Sequence, residues 1–291
     1  MRNCCTFCLL ALSLRAADLE AELKKRIAAG PGQVFLAARN LRTGAAISLR
    51  GEEKVRTAST IKLPLLVEVY AQVASGQAKL EETLLMRQQD IVSGSGVLRE
   101  LGPNVKLPLG GVANLMIVVS DNTATNMLIE RFTADAVNAR MDRLGLPATR
   151  LMRKVRGDGN QLKAAEGFSQ AGLLEENKKF GLGSSTPLEM VRLLEILEQG
   201  KTAGSKQIIE ILKRQQYNDA IGRKIGSLTV ANKTGSLDHL RSDAGIVYAP
   251  RGPVAIAITV EDIPGIDYGE DNPGLLLIAD LARILVDHLG R

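Results

Sequence analysis

Strand-forming sequence lies only near the two ends of this chain, and that placement restricts its fold more than any other feature. Gln33 to Asn40 (QVFLAARN) and Ala45 to Arg50 (AAISLR) read as strands joined by a turn at Thr43-Gly44. Strand character returns only at Leu228 to Lys233 (LTVANK), Asp243 to Ala249 (DAGIVYA) and Val254 to Val260 (VAIAITV). From Ser59 to about Gly200 the apolar spacing is mostly helical, broken at Ser93 to Gly96, Gly102-Pro103 and Gly157 to Gly159. One sheet must then be assembled from both termini, with a helical lobe inserted into it. Asp18 to Ala29 reads as an amphipathic helix with acids in its first turn and Gly30-Pro31-Gly32 as its stop. Leu275 to Leu289 closes the chain as another, with Pro273 near its start and Gly290 just past its end. A cleft between the two lobes is where a small-molecule site is expected.

Composition narrows the partners. With 45% hydrophobic and 24% charged residues the chain is an ordinary globular one, and with no Trp and 3% aromatics its core must be built from Leu, Ile, Val and Ala. The net charge of +5 is scattered and not interleaved with aromatics, so no nucleic-acid partner is expected. Arg2, the apolar stretch Cys4 to Leu14 and the small residues Ala16 and Ala17 read as a signal peptide over 1–17, too short to span a bilayer. Cys4, Cys5 and Cys8 all fall inside it, so the exported chain would have no thiol and no disulfide. The expected product is a periplasmic or secreted monomer without stable membrane insertion. Residues 18–291 form one unit, with 18–58 and 201–291 in the sheet lobe and 59–200 in the helical lobe.

Chemistry is reached by exclusion. His239 and His288 are the only histidines, so zinc sites built on several His or Cys ligands cannot be assembled, and no phosphate-cradling GxxxxGK is present. His288 reads as a surface residue and His239 as a residue bordering the site. A hydrolase without histidine needs another base, and a lysine serves when burial or a neighbouring cation depresses its pKa. Ser59-Thr60-Ile61-Lys62 offers one: if Ser59 caps the helix that follows, the Lys62 amine stands beside its hydroxyl. Such a spacing arises by chance about once per chain of this length. Two further motifs change the odds. Ser120-Asp121-Asn122 follows the apolar run NLMIVV, and Lys233-Thr234-Gly235 ends a strand. All three in this order are an accident of about one chain in a thousand.

S-x-x-K, S-D-N and K-T-G in this order resemble the set found in class A beta-lactamases and penicillin-binding proteins. The resemblance runs from about residue 20 to the C-terminus, and SDNTATNMLIERF and KTGSLDHLRSDAGIVY extend it beyond the core triplets. It implies an α/β (α+β) fold: an antiparallel five-stranded sheet flanked by helices, with an inserted all-helical lobe. It also implies that Ser59 attacks a strained amide and forms an acyl-enzyme, Lys62 takes or relays the proton, and Ser120 passes a proton to the departing nitrogen. Asn122 would bond the substrate amide and help fix Lys62, while Lys233 and Thr234 receive the substrate carboxylate. The backbone N–H groups of Ser59 and Ser236, beside Gly235, would form the oxyanion hole. Asp121 reads as structural. Arg223 and Arg241 both stand as extra carboxylate ligands, without a choice between them. The substrate would be a beta-lactam or a peptidoglycan-like peptide, and no cofactor is called for.

The match also breaks. Class A enzymes carry a glutamate in an E-x-x-L-N pattern that activates the deacylating water, and that pattern is absent. Val155 stands about where this glutamate would fall, inside a loop longer than usual by roughly fifteen residues. Glu166, Glu175 and Glu176 would reach the site if the longer loop folds inward, and Gly94 replaces an aromatic residue that often lines the family's cleft. Acylation is thereby better supported than turnover. A penicillin-binding D,D-peptidase, an esterase or amidase on the same scaffold, and an acylated sensor stand as alternatives.

Overall fold

The computed structural model describes residues 17–157 and 167–291. Glu166 and all but the last residue of the expected export segment lie outside them. Helix α1 covers 17–28, and the strands β1 (Gln33–Asn40) and β2 (Ala46–Leu49) follow as the sequence pattern predicts. They join β8 (Val230–Leu237), β9 (Leu240–Ala249) and β10 (Gly252–Glu261) in one antiparallel sheet of order β2-β1-β10-β9-β8. The last-made strand, β10, pairs with the first, β1, from Gln33 opposite Glu261 to Asn40 opposite Val254. That pairing closes the two ends of the chain into a single sheet.

The two faces of the sheet carry different residues, because alternate side chains point to opposite sides. Val254, Ile256, Ile258 and Val260 of β10 join Leu36 and Ala38 of β1 in a core shared with α1 and the terminal helix α9 (Pro273–Leu289). On the other face, Ala37, Ala231, Ala244, Ala255 and Ala257 meet the helical lobe. Small residues there let helices approach the sheet closely. Chief among them are α7 (Pro187–Glu198), against β1, β9 and β10, and α8 (Ser205–Leu212), against β8, whereas α2 (Lys62–Ala74), its first ten residues all buried, runs through the middle of the lobe.

Around α2 pack α3 (Leu109–Val118), α4 (Asn122–Phe132), α5 (Ala134–Arg143) and α8, and the short α6 (Gln170–Leu173) precedes α7 in the chain. This lobe is not all-helical, which corrects the expectation. Two short strands pair within it, β4 (Thr83–Leu85) with β5 (Lys106–Pro108). Three more, β3 (Val55–Arg56), β6 (Arg150–Leu151) and β7 (Gly183–Ser185), form a ladder of order β3-β7-β6 beside it. Pairs of two or three residues leave no periodicity for a sequence reading to find. A second correction concerns β8. Lys233-Thr234-Gly235 does not end that strand; pairing continues through Ser236 opposite Arg241 to Leu237 opposite Leu240.

Candidate active site

The Ser59–Lys62 pairing rests on a local structure other than the expected one. Ser59 does not cap a helix. It sits inside a 3-10 turn, Ala58–Ile61, and α2 starts only at Lys62 with Ile61 before it and no side-chain cap. A 3-10 turn repeats every three residues, so Ser59 and Lys62 share a face, and the Lys62 N–H bonds back to the Ser59 carbonyl. Freed from capping, the Ser59 hydroxyl remains available. Ala58, which leads into the turn, has φ of 47°, a left-handed conformation rare for a residue with a side chain. Pro64 falls in the first turn of α2, where it displaces no helical hydrogen bond.

Lys62 is fully buried, and its ammonium is held by the second motif. Its Nζ donates to Ser120 O at 2.6 Å and to Asn122 Oδ1 at 2.8 Å, with Ser120 Oγ at 3.2 Å. Burial pushes its pKa well below the lysine range; nearby Lys233 pushes the same way, and Asp121 opposes them. Ser120 stands at the kink between α3 and α4 with φ of 53°, the second left-handed non-glycine residue at this site. Asp121 is structural. Its Oδ1 caps α4 through Ala124 N at 2.8 Å, and its Oδ2 accepts from Val97 N at 2.6 Å and Leu98 N at 2.8 Å. Asn122 faces the same loop, its Nδ2 donating to Ser93 O at 3.0 Å. Gly94 lies against this amide at φ of 92°, and a Cβ there would come within 2.6 Å of Asn122 Nδ2. The positive φ and this close contact account for a glycine at position 94.

The third motif approaches from the sheet. Gly235 of β8 presses on the 3-10 turn so closely that a Cβ would lie 2.9 Å from Ser59 N and 2.8 Å from Thr57 O. Only glycine allows this contact, and it brings the exposed Ser236 beside the Ser59 amide. Lys233 is fully buried with its Nζ donating to Thr234 O at 2.7 Å; burial brings its pKa down to about 7, against the pull of Asp243. Asp243, also fully buried, accepts from Asn232 Nδ2 at 3.0 Å and Ile221 N at 3.0 Å, and burial raises its pKa to about 6. Ser59, Lys62, Ser120, Asn122 and the Lys233–Ser236 run therefore converge from three elements. The cluster holds a hydroxyl nucleophile, a second hydroxyl and two buried lysines whose pKa values are both depressed.

Other expected residues fall elsewhere. Arg223 donates to Glu270 O at 2.5 Å and Asp271 Oδ1 at 2.6 Å. Arg241 is buried and bonds the carbonyls of Leu237, Leu240 and Asp267. Both arginines turn toward the segment 262–272. Glu175 and Glu176 are exposed, and Glu175 pairs with Lys178. His239 bonds Ile263 O through Nδ1 at 2.9 Å, and His288 reaches Glu22 at 2.9 Å. Asn126 is a residue the sequence reading passed over, although it lies in the SDNTATN run. Its amide clasps Val155 from both sides, Oδ1 accepting from Val155 N at 2.8 Å and Nδ2 donating to Val155 O at 3.1 Å. Val155 is thereby anchored to α4, one turn beyond Asn122.

A sequence model of the beta-lactamase enzyme family matches residues 18–289. The chain belongs to that family. Among solved structures it is similar to a beta-lactamase from Sphaerobacter thermophilus at 28% identity and a TM-score of 0.79, over 94% of this chain and 97% of that one. PBP-A is similar at 28% identity and a TM-score of 0.78, over 93% and 95%. A mutant of PBP-A, solved as an acyl-enzyme complex with penicillin-G, matches at 28% and 0.77, over 93% and 96%. The protein is thus a serine hydrolase of the beta-lactamase family, with the α/β fold that its motifs implied.

Proposed function

We propose that the protein is a serine beta-lactamase working through an acyl-enzyme on Ser59. The observation that carries this is the convergence of Ser120 and Asn122 on Lys62, beside a turn whose Ser59 amide is pressed by Gly235. Lys62, neutral in part because of its burial, accepts the Ser59 proton as Oγ attacks the lactam carbonyl. The oxyanion forms at the amides of Ser59 and Ser236, where fixed donors stabilise developing charge without reorganising. The C–N bond then breaks, and the proton passes from Lys62 through Ser120 to the departing nitrogen. Lys233 and Thr234 receive the substrate carboxylate, and Asn122 the side-chain amide. Water finally attacks the ester, releasing the ring-opened acid and restoring Ser59. Residues 1–17 would be removed on export and the enzyme would act in the periplasm or outside the cell; Arg2 and the apolar stretch after it support this. Hydrolysis of this kind would serve antibiotic resistance.

One observation favours a second reading. Val155, clasped by Asn126, offers no carboxylate where the family resemblance places the deacylating glutamate. A D,D-peptidase that acylates readily and deacylates slowly would have such a site. Nitrocefin turnover by the exported form, with intact mass on the same samples, separates the two. Steady turnover that Ser59→Ala abolishes supports the beta-lactamase. A single lasting adduct favours the peptidase, and labelling that persists in Ser59→Ala overturns both.

A further inference from the structure

Among the described residues Arg241 is the largest fully buried side chain, and all its hydrogen-bond partners are backbone carbonyls. Both Nη1 donors are occupied by the turn that links β8 to β9, with Leu237 O at 2.5 Å and Leu240 O at 2.6 Å. Its Nη2 reaches across to Asp267 O, and its guanidinium stacks 4.8 Å from the centre of the Tyr268 ring. The same turn is fastened to the same segment at two more places. Tyr268 donates to Asp238 Oδ1 at 2.8 Å, and His239 and Ile263 exchange backbone and ring bonds at 3.1 Å and 2.9 Å. Segment 262–268 is therefore a buttress behind the turn, and Arg241 is its central rivet. In front of the turn stands Ser236, the residue just before Leu237 on β8.

We propose that Arg241 is a positioning residue for acyl transfer: by tying the β8–β9 turn to Asp267 it holds the Ser236 amide in line with the Ser59 amide, and it does not bind the substrate carboxylate. This rests on the acyl-transfer reading given above. A guanidinium suits the task because one rigid group serves three carbonyls at once. Without it those carbonyls lose their donors and the turn loses its tie to the segment behind. Displacement of an oxyanion donor by a fraction of its bond length is enough to slow attack at the carbonyl.

The test uses two acylating probes. Benzylpenicillin carries a carboxylate; a neutral fluorophosphonate carries none, yet places its oxygen at the same amides. Labelling rates on Ser59 are followed by intact mass for the wild type, Arg241→Gln and Arg241→Lys, as rate constants rather than amplitudes. A protein that is merely less stable loses amplitude and keeps its rate. Arg241→Gln is expected to slow both probes by a similar factor, about tenfold to a hundredfold. Arg241→Lys should recover part of that, since an ammonium still donates to carbonyls. A loss confined to benzylpenicillin would make Arg241 a substrate ligand and overturn the proposal, as would unchanged rates with both. If Arg241→Gln does not fold, Tyr268→Ala removes the stacked ring and the bond to Asp238 from the exposed side. It should slow both probes about threefold or more, and the same two contrary results count against the proposal. A wild type labelled by neither probe would bring down the acyl-transfer reading itself.

Discussion

Lys62 holds the carbonyl and the hydroxyl of one residue and the amide of its next neighbour but one, so a single buried ammonium registers the whole SDN turn. Such a group is costly to keep charged, which is why it can act as a base. Lys233, with its pKa near 7, makes the complementary prediction. It is charged below that value and neutral above it. Attraction for a substrate carboxylate should therefore weaken as pH rises through about 7. The acylation efficiency of benzylpenicillin should fall over that range, while that of a neutral fluorophosphonate should not follow it; parallel profiles would remove Lys233 from carboxylate binding. Val155 gives a prediction of the opposite kind, a gain. Val155→Glu puts a carboxylate on a backbone already clasped by Asn126, and a well-placed general base contributes about a hundredfold or more. The acyl adduct should become shorter-lived by a factor of that order on the mass-spectrometric time course. An unchanged lifetime would mean that something other than a missing base limits release.

At the scale of elements, the site depends on how α4 begins. Asp121 caps that helix with one oxygen and holds Val97 and Leu98 with the other, so it fixes both Asn122 and the loop facing it. Asp121→Ala should cost about 2–4 kcal/mol, a lost cap together with the unpaired amides of Val97 and the buried Leu98. Urea unfolding should show a lower midpoint with an unchanged slope. Elements also show what the sequence can and cannot disclose. Long strands with alternating or continuous apolar residues were legible, and so was α2, because their patterns extend over many residues. The spacing of Ser59 and Lys62 was legible too, but as one turn of a helix. The 3-10 geometry was not, because it comes from the Gly235 contact and from a left-handed Ala58, neither of which leaves a periodic trace. Arg241 was readable as a charge in the right neighbourhood and unreadable as a tie to carbonyls, since carbonyls have no letter in a sequence.

At the scale of the molecule, two cores share one sheet. The branched face is closed by α1 and α9, the alanine face by α7 and α8 with the rest of the helical lobe behind them, and β8 carries Lys233 along the sheet's edge. Damage to the far core should accordingly be felt at the site. Leu23→Ala, in α1 and fully buried, should cost about 2–5 kcal/mol. Loss of nitrocefin activity and loss of helical ellipticity on heating should still share one midpoint, whereas separate midpoints would show that the lobes melt independently. Helices α1 and α9 also lie side by side, joined by Arg26 to Asp280 at 2.9 Å and Glu22 to His288 at 2.9 Å. Both are on the side of the sheet turned away from Ser59. A short covalent link between these two helices, with the chain reopened at the turn near Gly200, would give a circular permutant that leaves every site residue in place. A surface tether attached at this back would in the same way keep clear of the Ser59 side of the sheet.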